Sequence, residues 1–459
     1  MIRRYDPLTS RIAFRDTDRM IFENDEGLCI WFGRVRMDVE RVMHKVLTSA
    51  EDDDCSDSFV GPFLLIVYDK VRRFLSIKQH YFGMPVSLYY AQHERNIWLS
   101  TSLNRLREVL TVRFELNTQM LPHFFYNGFL PDSHTLIKGI SKLPPGYRAR
   151  LDSKGIRIGT TAYRFSDSSP LSDEALYEQV IPNGIISAAG SDIDMFDIAL
   201  SGGYDSNCIL YYLRQLYSQS RIRAYSVGGI EGVDETGVAR AIAGMYPNTQ
   251  LFCAKVTPFT LNAMDEIVCR LEGAVYERGI FLQYELAKLL NEHECRRMVC
   301  GECADQVFHE DSYRRADRGI FLYGYAQTPY EMASYVVLQK NTRMLGSFGI
   351  EGAYPFLDMD VLRLGYRTRE RNGREKRFHK EQCLRLLPDD VGAMLQKTGG
   401  STSLSSLVDP SFDCTAAVQR MKYYSKDFKI TGKYERREAE LDYYLSLRYL
   451  ESFERQFCD

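Results

Sequence analysis

Residues 198–206 read Ile-Ala-Leu-Ser-Gly-Gly-Tyr-Asp-Ser, an apolar strand running straight into a turn of pattern S-G-G-x-D-S and then into a helix expected over 207–213. Few folds accept that order. Gly202 and Gly203 let consecutive backbone N–H groups point inward as an anion cradle. Ser201 and Ser206 add hydroxyl donors, and the following helix turns its positive end toward the same place. Such a turn suits the phosphates of ATP at the carboxyl end of a parallel sheet. Asp205 is a carboxylate among phosphates, which makes chemical sense if it holds Mg²⁺. The bland alternative is an ordinary glycine-rich strand-to-helix turn.

The surrounding pattern supports the first reading. A helix over 173–189 precedes the strand at 197–200, and further strands are expected at 222–227, 249–255 and 297–300 with helices between them. This alternation implies an α/β fold with a parallel sheet covered on both faces. Leu200, Val227 and Gly301, at the carboxyl ends of three of these strands, are counted with the nucleotide-binding residues. The first part of the chain has hairpin signals instead: 63–69 with 74–77, 86–90 with 97–100, a turn at 143–146 and a strand at 147–151. The small polar run at 165–170 separates the two patterns, giving domains 1–165 and 170–459. A chain of 459 residues is too long for one ordinary core.

A net charge of −3 argues against a general nucleic-acid or anionic-membrane binder. No apolar run approaches the roughly 20 residues of a membrane span. The first residues are charged at once, so a cytoplasmic protein is expected, its 11 cysteines reduced and mostly in cores. The helical stripe of Leu441, Tyr444, Leu445, Leu447, Leu450 and Phe453 is read as core packing.

The fourth strand of the parallel sheet ends in Gly301-Glu302-Cys303-Ala304-Asp305-Gln306. Two Asp-bearing turns on one rim bring Asp205 and Asp305 together as a candidate Mg²⁺ pair. With S-G-G-x-D-S, this G-E-x-A-D pattern resembles the synthetase domain of the asparagine synthetase family. The resemblance extends to Asp234-Glu235, Gly349-Ile350-Glu351, Pro355-Phe356-Leu357-Asp358, Lys376 and Pro388. In the first half, Gly61-Pro62-Phe63, Phe82-Gly83-Met84-Pro85, Leu116-Asn117 and Lys142-Leu143-Pro144-Pro145-Gly146 resemble the family's glutaminase domain. The resemblance implies an N-terminal Ntn-hydrolase-like αββα domain followed by an adenine-nucleotide α-hydrolase-like (PP-loop) synthetase domain, with ATP and Mg²⁺ as cofactors.

Departures from the family pattern narrow the expectation. Members that use glutamine expose a cysteine as the mature first residue; here position 2 is Ile2, and no cysteine precedes Cys29. The front domain is therefore expected to be a scaffold rather than a glutaminase. The resemblance then points to the family's cyclising branch, the β-lactam and carbapenam synthetases and the lasso-peptide cyclases. Their Tyr–Glu pair and lysine align with Glu302, Glu351 and Lys397, and Glu302 in the tyrosine position puts β-lactam formation in doubt. Glu351, with Glu302 nearby, is the expected general base, and Lys376, Lys380 and Lys397 are expected to neutralise phosphate charge.

The leading expectation is an ATP-dependent, AMP-forming amide ligase closing a macrolactam on a peptide. A leader-peptide-binding protein and a protease are then the implied partners, with no nucleic acid and no membrane span. Alternatives are a ligase joining ammonia or an amine to a small carboxylic acid, group transfer to an adenylated tRNA base, and a pseudoenzyme subunit.

Overall fold

The strand Phe59–Asp69 is apolar on both faces, and each face meets a different layer. Phe63, Leu65 and Val67 pack with Val42, Met43 and Val46 of the amphipathic helix Val39–Thr48. Leu64 and Ile66 point the other way, toward Ile97 and Leu99 of a second sheet. A strand buried on both sides must sit inside a layered stack. Here that stack is helix, sheet, sheet, helix. The computed structural model describes residues 2–6, 11–15, 21–48, 55–82, 86–93, 96–160, 169–190, 194–228, 235–273, 275–309, 333–395 and 436–458.

The first sheet has six strands in the order Gly155–Thr160, Tyr147–Asp152, Phe74–Gln79, Phe59–Asp69, Gly27–Val35, Ile21–Glu23. The second has five: Arg11–Arg15, Ile2–Asp6, Asn96–Ser100, Tyr89–His93, Ile140–Lys142. Each pairing in both sheets is antiparallel. The hairpin expected at 63–69 and 74–77 forms, with Asp69 opposite Phe74. The strand expected at 86–90 instead runs Tyr89–His93, because His93 rather than Tyr90 lies opposite Asn96 across the turn. Periodicity alone leaves that register open. The outer strand Gly155–Thr160 and the first hairpin carry weak apolar signals and were not expected.

The third sheet is parallel, in the order Thr249–Lys255, Arg221–Gly228, Met195–Ala199, Arg297–Val299, Glu351–Ala353. Four of these strands match the expected ones within two residues. The fifth is three residues long, too short for an apolar pattern. Strand order reverses beside Met195–Ala199, which opens a crevice at the carboxyl ends of Met195–Ala199 and Arg297–Val299.

The two halves of the chain share buried surface. Ser87 Oγ donates to Gln339 Oε1 at 2.5 Å, and Ser334 Oγ donates to the Phe82 carbonyl at 2.5 Å. The Phe124 ring packs 5.8 Å from Tyr449 of the last helix, Arg436–Phe457. In that helix Leu445, Leu447, Leu450 and Phe453 are buried, as the stripe predicted. Leu441 lies outside the residues whose side chains are described.

Candidate active site

The helix Tyr204–Leu216 begins at Gly203, so its first turn faces the crevice with backbone N–H groups unpaired by the helix. The S-G-G-x-D-S loop is tied by its own side chains. Ser201 N donates to Ser206 Oγ at 3.1 Å, and Gly203 N donates to Ser201 Oγ at 3.1 Å. Asn207 Nδ2 donates to the carbonyls of Ser201 at 3.0 Å and Gly203 at 2.8 Å. The two hydroxyls expected to reach a ligand thus hold the loop's shape, and Asn207 does the same from the helix. Gly301 lies against this loop: a Cβ there would meet the Asp205 Cβ and the Ser206 N at 3.0 Å. Only glycine lets the two Asp-bearing turns approach this closely.

That approach puts one cation between two carboxylates. Lys376 Nζ is 2.6 and 2.7 Å from the oxygens of Asp205 and 2.6 Å from Asp305 Oδ1. His379 Nε2 lies 2.9 Å from Asp205 Oδ1, and its other ring nitrogen is 3.0 Å from the Tyr177 hydroxyl. Burial alone would raise the Asp205 carboxyl, but Lys376 and His379 outweigh it and hold Asp205 well below the usual carboxylate range. Burial likewise opposes the Lys376 charge, and the two aspartates outweigh it, raising its pKa. Asp205 and Asp305 therefore converge on a single atomic position. A pair of hard oxygen donors fits Mg²⁺ when phosphate oxygens and water complete the shell. Among the described residues no group of three or more His, Cys, Asp or Glu side chains could hold an ion without such help.

The crevice is a cavity of about 420 Å³. Its apolar lining includes Leu200 and Val227, at the ends of two strands, and Leu282 and Leu286 of the helix Gly279–Glu292. Glu302, Lys340 and Glu277 occupy another part of the lining. The atoms enclosing Glu302 raise its carboxyl pKa, against the pull of Lys340 and a hydrogen bond with Asn341.

The structure brings Leu200, Ser201, Gly203, Asp205, Ser206, Val227, Gly301, Glu302, Asp305 and Lys376 to this one cavity. Gly202 is buried within the turn and does not face it. Lys380 sits one turn further along its helix, outside the lining residues. Lys397 lies outside the described residues. Glu351 departs from the expectation. It opens its strand opposite Arg297, at the amino end of the sheet, and Arg297 binds its carboxylate at 2.7 Å. Its side chain is 49% exposed, and it is not among the residues lining the cavity. The expectation placed Glu351 near Glu302, whereas the short edge strand Glu351–Ala353 carries it about two residues' rise, or roughly 7 Å, back from the carboxyl rim.

Sequence reasoning missed Glu277, Lys340, His379 and Asn207. For Lys340 and Glu277 there was no local signal, since their proximity arises where the segment leading into the helix Gly279–Glu292 meets the helix Leu338–Ser347. The cysteines were expected to be scattered singly with no C-x-x-C pair, but Cys300-Gly301-Glu302-Cys303 is one; both residues line the cavity, and burial pushes both thiols well above the ordinary value.

The chain matches two family profiles: a glutamine amidotransferase domain over residues 33–164 and asparagine synthase over residues 197–324. A Mycobacterium tuberculosis protein named as a glutamine-hydrolysing asparagine synthetase is 24% identical over 261 residues, 54% of this chain and 39% of that protein. A Methanocaldococcus jannaschii protein named likewise is 22% identical over 203 residues, 42% of this chain and 38% of that one. The aligned region thus spans about two fifths of the length of these relatives.

Proposed function

The chain belongs to the asparagine synthetase family, and from that footing we propose that it is an ATP-dependent ligase that forms an amide through an acyl-adenylate. The observation that carries this reading is the convergence of Asp205, Asp305 and Lys376 on one point beside the glycine turn.

In the first step a substrate carboxylate oxygen attacks the α-phosphorus of ATP. The bond from that phosphorus to the bridging oxygen breaks, and pyrophosphate leaves with the electron pair. The N–H groups at the start of Tyr204–Leu216 and the Lys376 ammonium stabilise phosphate charge as it shifts to the leaving group. Mg²⁺ held by Asp205 and Asp305 would screen the phosphates and favour that departure. In the second step an amine nitrogen attacks the acyl carbon, the C–O bond to AMP breaks and AMP leaves with the electron pair, and the nitrogen's surplus proton passes to water. An amine arriving as ammonium must first give up a proton, and Glu302 is the carboxylate in the cavity with the raised pKa suited to take it.

The amine comes from solution or from the substrate itself rather than from glutamine. Cys29 and Cys55, the two cysteines of the first 165 residues, are both buried in the core beneath helix Val39–Thr48, and burial pushes Cys29 up to about 12. Neither offers a thiolate nucleophile. When carboxylate and amine belong to one peptide the product is a macrolactam, the specific form we favour on the sequence resemblance.

The test is substrate-dependent ATP–pyrophosphate exchange with Mg²⁺, across peptides and small carboxylic acids, for the wild type and Asp305→Ala. Asp305 is half exposed, so the substitution should leave the fold intact. Exchange with one carboxylate class, reduced at least about 100-fold in the variant, is the expected result. No exchange with any carboxylate despite ATP binding would sink the proposal.

A further inference from the structure

Lys340 projects from the helix Leu338–Ser347 into the same cavity as the phosphate turn, yet the chemistry at that turn does not use it. Its ammonium bonds one oxygen of Glu277, and the other Glu277 oxygen accepts from Gly279 N at 2.8 Å. Both oxygens of Glu277 are thereby committed, and they fix where the ammonium sits. Gly279 makes room for it: a Cβ there would meet Glu277 Oε1 at 2.5 Å and Lys340 Nζ at 2.7 Å. A lysine ammonium has three donors. Among the described residues only Glu277 takes one by hydrogen bond, while Glu302 acts on the ammonium through its charge alone, so two donors are left toward the cavity.

The helix is itself held from the front half of the molecule. Gln339 accepts from Ser87, and Arg343 donates to the Tyr89 hydroxyl at 2.6 Å and to Glu272 at 2.9 Å. A cation with spare donors, fixed on both sides and only 14% exposed, is a prepared anion site. Lys376 and Lys340 are the two cations among the described lining residues. Lys376 sits between the aspartates of the phosphate turn and is assigned above to the phosphates. A carboxylate approaching the anionic α-phosphate needs a positive partner of its own, and Lys340 is the group in place to supply it.

We propose that Lys340, held by Glu277 against Gly279, is the subsite that binds the carboxylate to be adenylated. This rests on the ligase reading above and names the group its acyl substrate must carry: a free carboxylate, presented as an anion. Lys340 pairs with one carboxylate oxygen while the other attacks phosphorus. No proton moves in this step, and Lys340 stays protonated throughout.

The experiment is initial-rate ATP–pyrophosphate exchange on the full chain with Mg²⁺. The probes are L-aspartate, L-glutamate and peptides with one Asp or Glu side chain, and the proteins are the wild type, Lys340→Met, Lys340→Arg and Gly279→Ala. Lys340→Met should raise the carboxylate KM about 10- to 100-fold, the effect of losing one charge-assisted hydrogen bond, with the ATP KM within about twofold of wild type. Lys340→Arg should recover part of the loss. Gly279→Ala, which moves the ammonium without removing its charge, should raise the same KM by less. If Lys340→Met does not fold, the arginine and alanine variants carry the comparison. An unchanged carboxylate KM, or an ATP KM that rises in step with it, overturns the assignment and leaves the ligase standing. No exchange by the wild type with any carboxylate overturns both.

Discussion

Glu302 and Glu351 are both carboxylates in motifs shared with one family, but their surroundings separate them. Glu302 faces the cavity, where enclosure raises its pKa. Glu351 is half exposed at the other end of the sheet with Arg297 beside it. A base acts in its ionised form, so the amide-forming rate should rise with pH through a value above the ordinary carboxylate range, while adenylation stays flat. Glu302→Gln should slow amide formation about 10²- to 10⁴-fold and leave pyrophosphate exchange within a few-fold. Rates of the two half-reactions, measured separately across pH, check this. Glu351→Gln should change neither by more than about twofold, as expected of an exposed pair.

At the scale of elements, one buried carboxylate joins three pieces of chain. Glu272 accepts from Ser102 Oγ at 2.5 Å and from Leu103 N at 2.9 Å, at the start of the helix Leu103–Leu110, and from Arg343 at 2.9 Å. It caps a front-half helix while neutralising an arginine of the rear half. Both side chains of the pair are under one tenth exposed. Glu272→Ala leaves the Arg343 charge buried and unpaired, and should cost ~3–5 kcal/mol in urea unfolding. His80 is a second buried group on this scale. Burial drives its pKa down to about 3, so it is neutral in the fold. The unfolded chain takes up a proton near 6.5, so the fold loses stability as pH falls from about 6.5 toward 3 and keeps it above that window. His80→Phe should flatten the fall of melting temperature over that range, because the ring can still pack beside Phe63 without a proton to bind.

For the whole molecule, the front half has a role that needs no nucleophile. Through Ser87, Tyr89 and Ser102 it fixes Gln339, Arg343 and Glu272, and so the helix that carries Lys340 into the cavity. The region matched as a glutamine amidotransferase domain thus braces, through these bonds, the helix that carries Lys340. Glutamine incubated with the protein and ATP should release no glutamate above background, whereas added ammonium or amine should still support amide formation. Glutamate release at a rate comparable to ligation would contradict the burial of Cys29 and Cys55.

The parallel sheet and its phosphate turn were legible in the chain because strand, glycines, aspartate and helix are consecutive, and local physics fixes such a unit. The expected helix at 173–189 and the strand at 249–255 appear with those bounds for the same reason. Asp205 and Asp305 could be placed on one rim because both follow strands of one parallel sheet. What the chain order could not reveal was which side chains meet across elements. Glu351 was misplaced because a three-residue edge strand has no periodicity, and its direction decides which end of the sheet the carboxylate occupies. Lys340 and Glu277 meet only because the segment leading into the helix at Gly279 packs against the helix Leu338–Ser347, and His379 reaches Asp205 from 174 residues away. Local sequence sets the turns and strands through short-range sterics and hydrogen bonds. The carboxylates and cations that share the cavity are brought together by packing between distant segments, and that selection exists only once the chain has folded.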